Sequence, residues 1–166
     1  MTIYRASGLN EVALLQYAKV MAESIEHGAV LCLEGDLGAG KSTFARGWTR
    51  AVTAEVDIPS PTFSIVQEYQ CLRNSIMLYH MDLYRLASAE DLEELGFEEM
   101  LNNGICLIEW ASKIPEAMHN TLLPLAILRF DFCGTDRRDM QLESQHHLWS
   151  NLAESLGMEA INADTI

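Results

Sequence analysis

The sequence predicts a single α/β domain, and three observations carry that prediction. Apolar runs at 29–33 (Ala-Val-Leu-Cys-Leu) and 105–108 (Ile-Cys-Leu-Ile) are short and continuous, the pattern of strands buried on both faces. Segments with apolar residues at helical spacing alternate with such runs along the chain. A glycine-rich loop at 35–40 joins the first run to a helical segment, as where a strand of a parallel sheet hands over to a helix.

The elements follow in order. Asn10 stands where a cap is needed for a helix in which Leu14, Leu15, Ala18, Met21, Ala22 and Ile25 recur, with Gly28 as the stop. Residues 41–54 read as the helix after the glycine loop; Gly47 lowers its helix propensity and is read as marking a close backbone approach. Ile58-Pro59-Ser60-Pro61 is stiff, because each proline fixes φ and disfavours helix before it. Strands are expected at 63–69 and 76–81, joined as a hairpin through 71–75. Ser88 with Asp91 three residues on resembles a capping box and opens a helix to about 101, which Asn102-Asn103-Gly104 ends. After the run at 105–108 come a strand at 125–132, a turn at 134–136, a return strand at 138–142 and an amphipathic helix at 144–156. No repeat or linker divides the chain, so 1–160 is read as one domain and 161–166 as a frayed tail.

Composition narrows the function. Apolar residues make up 49% and charged residues 21%, an ordinary globular balance that excludes disorder. The longest apolar run, 122–128, is broken by Pro124 and falls far short of the ~18 residues that span a bilayer. The first residues, Met-Thr-Ile-Tyr-Arg, show no signal-peptide pattern, and no membrane partner is expected. Eleven Lys and Arg against 24 Asp and Glu give a net charge of −13. Affinity for nucleic acid comes largely from cations neutralising phosphates, so no strong direct grip on RNA or DNA is expected, only action through a partner. Cys32, Cys71, Cys106 and Cys133 show no C-x-x-C spacing; Cys32 and Cys106 sit in apolar runs as small buried hydrophobes, and a reduced, cytoplasmic setting is the default.

Residues 35–42, Gly-Asp-Leu-Gly-Ala-Gly-Lys-Ser, fit the P-loop pattern G-x-x-x-x-G-K-[ST] at every fixed position. At ordinary residue frequencies a chain this long matches by chance about once in 200. Glycine lets backbone N–H groups crowd around phosphate oxygens, and the following helix N-terminus adds partial positive charge there. Gly35, Asp36, Gly38, Ala39 and Gly40, with Lys41, Ser42 and Thr43 at the helix start, are therefore the candidate phosphate cradle. Lys41 is placed to reach the β- and γ-phosphates and Ser42 to ligate Mg²⁺.

Hydrolysis further needs an acid for the metal shell and a group that orients water. Asp82 and Glu109 each follow an apolar run, at strand ends where open α/β sheets meet ligands. Spacing alone leaves open which of them meets the metal. Thr62, stiffened by Pro61, reads equally as a switch-like hydroxyl or as an ordinary turn at a strand start. Asp131 to Gly134 matches D-x-x-G but lies some 90 residues past the loop and reads as a strand end and turn; the lack of an Asn-Lys-x-Asp after it argues against a regulatory GTPase.

Together Gly-Asp-Leu-Gly-Ala-Gly-Lys-Ser (35–42), Ser-Pro-Thr-Phe (60–63), His-Met-Asp-Leu-Tyr-Arg (80–85), Glu-Glu-Leu-Gly-Phe (93–97) and Ile-Glu-Trp (108–110) closely resemble the TsaE family, bacterial ATPases needed for tRNA threonylcarbamoyladenosine biosynthesis. The match covers about 28–115. The resemblance implies a P-loop fold with a mixed sheet flanked by helices, and a weak Mg²⁺-dependent ATPase working with a two-subunit partner, TsaD with TsaB, that performs the threonylcarbamoyl transfer. It also implies that Glu109 is the second Mg²⁺-site residue beside Ser42, Asp82 a Walker-B-like acid linked to hydrolysis, and Thr62 the switch-like threonine. Trp110 follows Glu109 as in the family and reads equally as functional or as a ring packed over the site; the resemblance sets Arg137 against a family arginine near the nucleotide, whereas by themselves Arg137 and Arg138 read as a solvated turn. Ser42 stands where Thr is common, and Ala111 where Pro often follows Glu-Trp. Intrinsic turnover is expected to be slow, since no residue reads as an arginine finger.

Two alternatives are a P-loop small-molecule kinase and a non-catalytic ATP-sensing docking module. Six acids in ten residues, Glu90, Asp91, Glu93, Glu94, Glu98 and Glu99, read as a solvated helix face or as a docking face for a basic partner. His146 and His147 point to different faces of a helix, which argues against a shared metal.

Overall fold

The computed structural model describes residues 2–26, 28–73, 75–119 and 121–161. Among the described residues, eight strands form one mixed sheet in the order β3-β4-β5-β2-β6-β7-β1-β8. They are β1 (Thr2–Leu9), β2 (Ala29–Glu34), β3 (Val66–Gln70), β4 (Met77–Asp82), β5 (Gly104–Glu109), β6 (Leu125–Phe132), β7 (Arg138–Ser144) and β8 (Glu159–Ile161). The helices are α1 (Glu11–Ser24), α2 (Lys41–Val52), α3 (Ala89–Glu94), α4 (Phe97–Asn103), α5 (Glu116–His119) and α6 (His147–Ser155). The central strands β4, β5, β2 and β6 run parallel, and β3, β7, β1 and β8 join antiparallel at the two sides.

Period-two alternation sorts the strand residues between two apolar layers. Leu31, Leu33, Leu78 and Leu107 pack with Leu14, Ala18, Met21, Phe44, Trp48 and Trp149 of α1, α2 and α6. Val30, Cys32, Met81, Cys106 and Ile108 pack on the other face with Leu92, Phe97 and Met100 of α3 and α4. All six residues of β2 are buried, and all six of β5, as continuous apolar runs require. Cys32 and Cys106 are buried as expected, and that burial pushes both thiols up to about 12.

Most predicted elements are present, with three corrections. The Asn10 side chain accepts from the Ala13 N–H at 2.9 Å and opens α1 as anticipated. The Ser88 capping box is present, with Asp91 accepting from the Ser88 N–H. The helix predicted from Ser88 to about 101 is two helices, because Gly96 (φ 79°) turns the chain left-handed between α3 and α4. Asn102-Asn103-Gly104 ends α4 as expected, with Gly104 both its C-cap and the first residue of β5, where a Cβ would stand 1.9 Å from the Met77 carbonyl oxygen. The strand expected at 63–69 starts at Val66, since residues before it form a turn with Ile65 at φ 69° and Phe63 exposed. The last helix begins at His147, with Ser144 still in β7. Of the tail expected to fray, Ile161 ends β8 and 162–166 lie outside the described residues. Among the described residues, no helix is long and apolar enough to cross a membrane.

Gly47 marks the close approach its position suggested. A Cβ there would lie 2.8 Å from Leu15 Cδ2 and 3.1 Å from Ala18 Cβ, so α1 and α2 meet across its bare backbone.

Candidate functional site

The site forms where β2 ends and α2 begins. Gly35 (φ 137°) turns the chain where a Cβ would strike the Phe130 carbonyl oxygen at 2.4 Å, so the loop is held against β6 by a contact only glycine permits. Gly38 and Gly40 also have positive φ, Ala39 is buried beneath the loop, and Asp36 is exposed on it, its carbonyl accepting from the Ala39 N–H. Lys41 opens α2 and folds back into the loop. Its Nζ donates to the Gly35 and Asp36 carbonyls at 2.6 and 3.0 Å and sits 4.0 Å from the Trp110 ring centroid. Burial lowers the Lys41 pKa below the ordinary lysine value, against the opposing pull of Glu109, Glu34, Asp82 and Asp36.

Parallel register brings the acids together. Asp82 ends β4 opposite Glu109, which ends β5, and Glu109 lies opposite Leu33 of β2. Glu109 accepts from the Ser42 hydroxyl through Oε2 at 2.9 Å, and its Oε1 lies 2.8 Å from His80 Nε2. Asp82 accepts from the Thr62 hydroxyl at 2.9 Å and from the Tyr84 N–H at 3.0 Å. Thr62 lies in the turn that follows Pro61, and that turn carries its hydroxyl to the β4 end. Lys41, Ser42, Thr43, Thr62, Asp82, Glu109 and Trp110 all line one cleft of about 400 Å³, within the range of small-molecule sites.

Trp110 follows β5 with φ 62°, an uncommon conformation for a non-glycine residue. Glu34, at the end of β2, accepts from both the backbone N–H and the hydroxyl of Ser112 (2.7 and 2.8 Å), fixing the turn after Trp110. Tyr84 packs against the Trp110 ring at 5.2 Å. Sequence reasoning missed three of these contributors: Tyr84 in the cleft wall, Glu34 behind Trp110, and His80 behind Glu109. Tyr84 and His80 each carried a signal, two positions to either side of Asp82 in the segment 80–85; Glu34 carried none. Arg137 does not line this cleft; its guanidinium donates to the Gly8 carbonyl at 2.8 Å, while Arg138 reaches the Gly38 carbonyl at 3.3 Å. Asp131 to Gly134 forms the end of β6 and a turn with Gly134 at φ 126°.

The residues present fit a phosphate chain and a hard divalent cation. Glycines at Gly35, Gly38 and Gly40 leave the loop backbone bare, and the N-terminus of a 12-residue helix points the same way. The Ser42, Thr62, Asp82 and Glu109 side chains offer oxygen donors only, the set that suits Mg²⁺.

A glycine loop between a buried parallel strand and a helix, with acids on the two neighbouring strand ends, defines a P-loop α/β protein. The model of the family described as threonylcarbamoyl adenosine biosynthesis protein TsaE matches residues 9–140. Two relatives, each named tRNA threonylcarbamoyladenosine biosynthesis protein TsaE, are similar over most of their length. That of Bacillus subtilis is 38% identical, covering 84% of either chain, and that of Haemophilus influenzae is 36% identical, covering 86% of this chain and 90% of the relative. The crystal structure of Bacillus subtilis YdiB superposes with a TM-score of 0.70 at 30% identity, covering 95% of this chain and 96% of that one. The chain belongs to the TsaE family.

Proposed function

We propose that this chain binds Mg²⁺-ATP in the cleft and hydrolyses it slowly, in the cytoplasm, in support of threonylcarbamoyladenosine formation in tRNA. The observation that carries the reading is the meeting of Lys41, the Ser42–Glu109 pair and the Thr62–Asp82 pair in one cleft. Lys41 and the amides of the loop from Gly35 to Thr43 would hold the phosphates, and Ser42 with Glu109 the metal, Thr62 being a further contact. When bound, Mg²⁺ offsets charge that develops on the transferred phosphoryl. Asp82, held by Thr62 and the Tyr84 N–H, would accept a hydrogen bond from the attacking water and aim it. Trp110 would shield the Lys41 ammonium from bulk water, which strengthens its pull on phosphate.

Lys41 is the cation lining the cleft among the described residues, while Arg46 and Arg137 bond to Thr43 and Gly8. Slow intrinsic turnover follows, with acceleration left to a partner. The transferase subunits TsaD and TsaB are that partner in this reading, and a net charge of −13 favours work through them over a direct grip on tRNA. Calorimetric titration with ATP and Mg²⁺ tests the binding step, and an absence of heat with any nucleoside triphosphate overturns the proposal. ATP loss is then followed with and without the two subunits. The expected result is slow loss that the subunits alter and that Asp82→Ala abolishes with binding retained. Loss that instead requires a small-molecule acceptor identifies a kinase.

A further inference from the structure

His80 lines no part of the cleft, yet it is fully buried and bonded to the acid that the proposed site depends on. We propose that His80 is a positioning residue for Glu109: it holds one carboxylate oxygen so that the other is presented to Ser42 and the metal position. This inference rests on the Mg²⁺-nucleotide reading above.

The sheet brings the pair together. On β4, Leu78, His80 and Asp82 share one face; on the parallel neighbour β5, Ile105, Leu107 and Glu109 share the same face. His80 lies opposite Leu107 and Asp82 opposite Glu109, so His80 stands one step deeper in the sheet and diagonal to Glu109. A carboxylate only accepts, so Nε2 carries the hydrogen toward Oε1, and the other ring nitrogen is Nδ1. That Nδ1 is buried with no hydrogen-bond partner among the described residues. An unpaired buried ring nitrogen is a cost that packing alone does not explain. The flanking positions on this face, Leu78 and Leu107, are filled by leucine without that cost.

What the histidine contributes is a division of labour between two oxygens. Oε1 is taken by Nε2 at 2.8 Å and Oε2 by the Ser42 hydroxyl at 2.9 Å. The terminal torsion of a glutamate is broad, so without the inner donor the carboxylate is free to rotate. Removing such outer-shell partners of metal ligands typically weakens metal binding about 10- to 100-fold.

The test compares His80→Leu, His80→Asn and His80→Gln with the unaltered protein. Gln carries an amide N–H about as far as Nε2; Asn falls short, and Leu has no donor. Calorimetry measures affinity for a non-hydrolysable ATP analogue, first in EDTA and then across a series of free Mg²⁺ concentrations. The expected result is a half-saturating Mg²⁺ concentration raised about 10- to 100-fold in the Leu and Asn variants and largely restored in Gln, with metal-free affinity within about twofold throughout. Should the Leu variant fail to fold, the Asn and Gln pair carries the comparison. Mg²⁺ dependence unchanged in Asn, or metal-free affinity falling in parallel, overturns the assignment of His80 and leaves the site reading intact. An unaltered protein that takes up no analogue overturns the reading beneath it, and this inference with it.

Discussion

Gly47→Ala sets two magnitudes against each other. Within a helix, Gly→Ala ordinarily gains about 0.8–1.0 kcal/mol from backbone entropy and propensity. Here the new methyl would arrive 2.8 Å from Leu15 Cδ2 and 3.1 Å from Ala18 Cβ, where carbon pairs prefer about 3.5–4.0 Å. The Leu15 methyl ends a flexible, half-buried side chain and can turn aside, but Ala18 is wholly buried and its Cβ moves only with the α1 backbone. Overpacking of this kind costs about 1–3 kcal/mol. The net expectation is a loss of about 1 kcal/mol, or about 2–4 °C in Tm for a domain of this size. Urea melts of Gly47→Ala, Leu15→Ala and the double variant measure it, with little coupling expected, because Leu15 can already turn aside and the Ala18 contact remains in the double variant. A rise of 2–4 °C in Tm for Gly47→Ala alone would refute the argument. The outcome bears on the site, because α2 begins with Lys41 and Ser42 and any displacement of the helix moves both.

Gly104→Ala is expected to be far more damaging, since its Cβ would meet the Met77 carbonyl oxygen at 1.9 Å between two paired strands; circular dichroism and soluble yield should both fall sharply. Thr62→Val removes one hydrogen bond to Asp82 and leaves the Tyr84 N–H; steady-state assays should show hydrolysis down about tenfold, the equivalent of about 1.4 kcal/mol, with nucleotide affinity little changed. Asp139 is subject to burial that would raise its pKa, but Arg5, the Gly8 N–H and Cys133 outweigh it and hold the carboxyl below the ordinary value. A lowered folded pKa contributes stability that is complete above the unfolded value near ~3.9 and is lost as pH falls through the folded one. The Tm gap between the unaltered protein and Asp139→Asn should therefore be widest at neutral pH and close toward pH 2; a gap that widens in acid contradicts the assignment.

The glycine loop, its helix and the acids at two strand ends were legible because each rests on a local signal. A phosphate cradle needs glycines at fixed spacing, and a buried parallel strand needs an unbroken apolar run. β1 was not legible: Ile3 and Tyr4 are both buried, which spoils the alternation of a half-exposed strand, and its pairing with β7 and β8 is long-range. The break at Gly96 was hidden because its flanking segments both carry helical spacing. Which acid meets Ser42 depends on strand order alone: β5 is adjacent to β2 and β4 lies one strand further out. The family resemblance anticipated that Glu109 would be the one; spacing did not. His80 was hidden for a related reason, since a histidine in an apolar strand reveals a partner only once the neighbouring strand and its register are known.

The distribution of indoles gives the molecule an optical property. Trp48 and Trp149 are sealed in the interior, whereas Trp110 stands at the cleft with the Lys41 ammonium 4.0 Å from its ring centroid. Indole emission responds to charge and water beside the ring, so whatever draws Lys41 away from that ring changes the ultraviolet fluorescence of this residue and leaves the other two as a constant background.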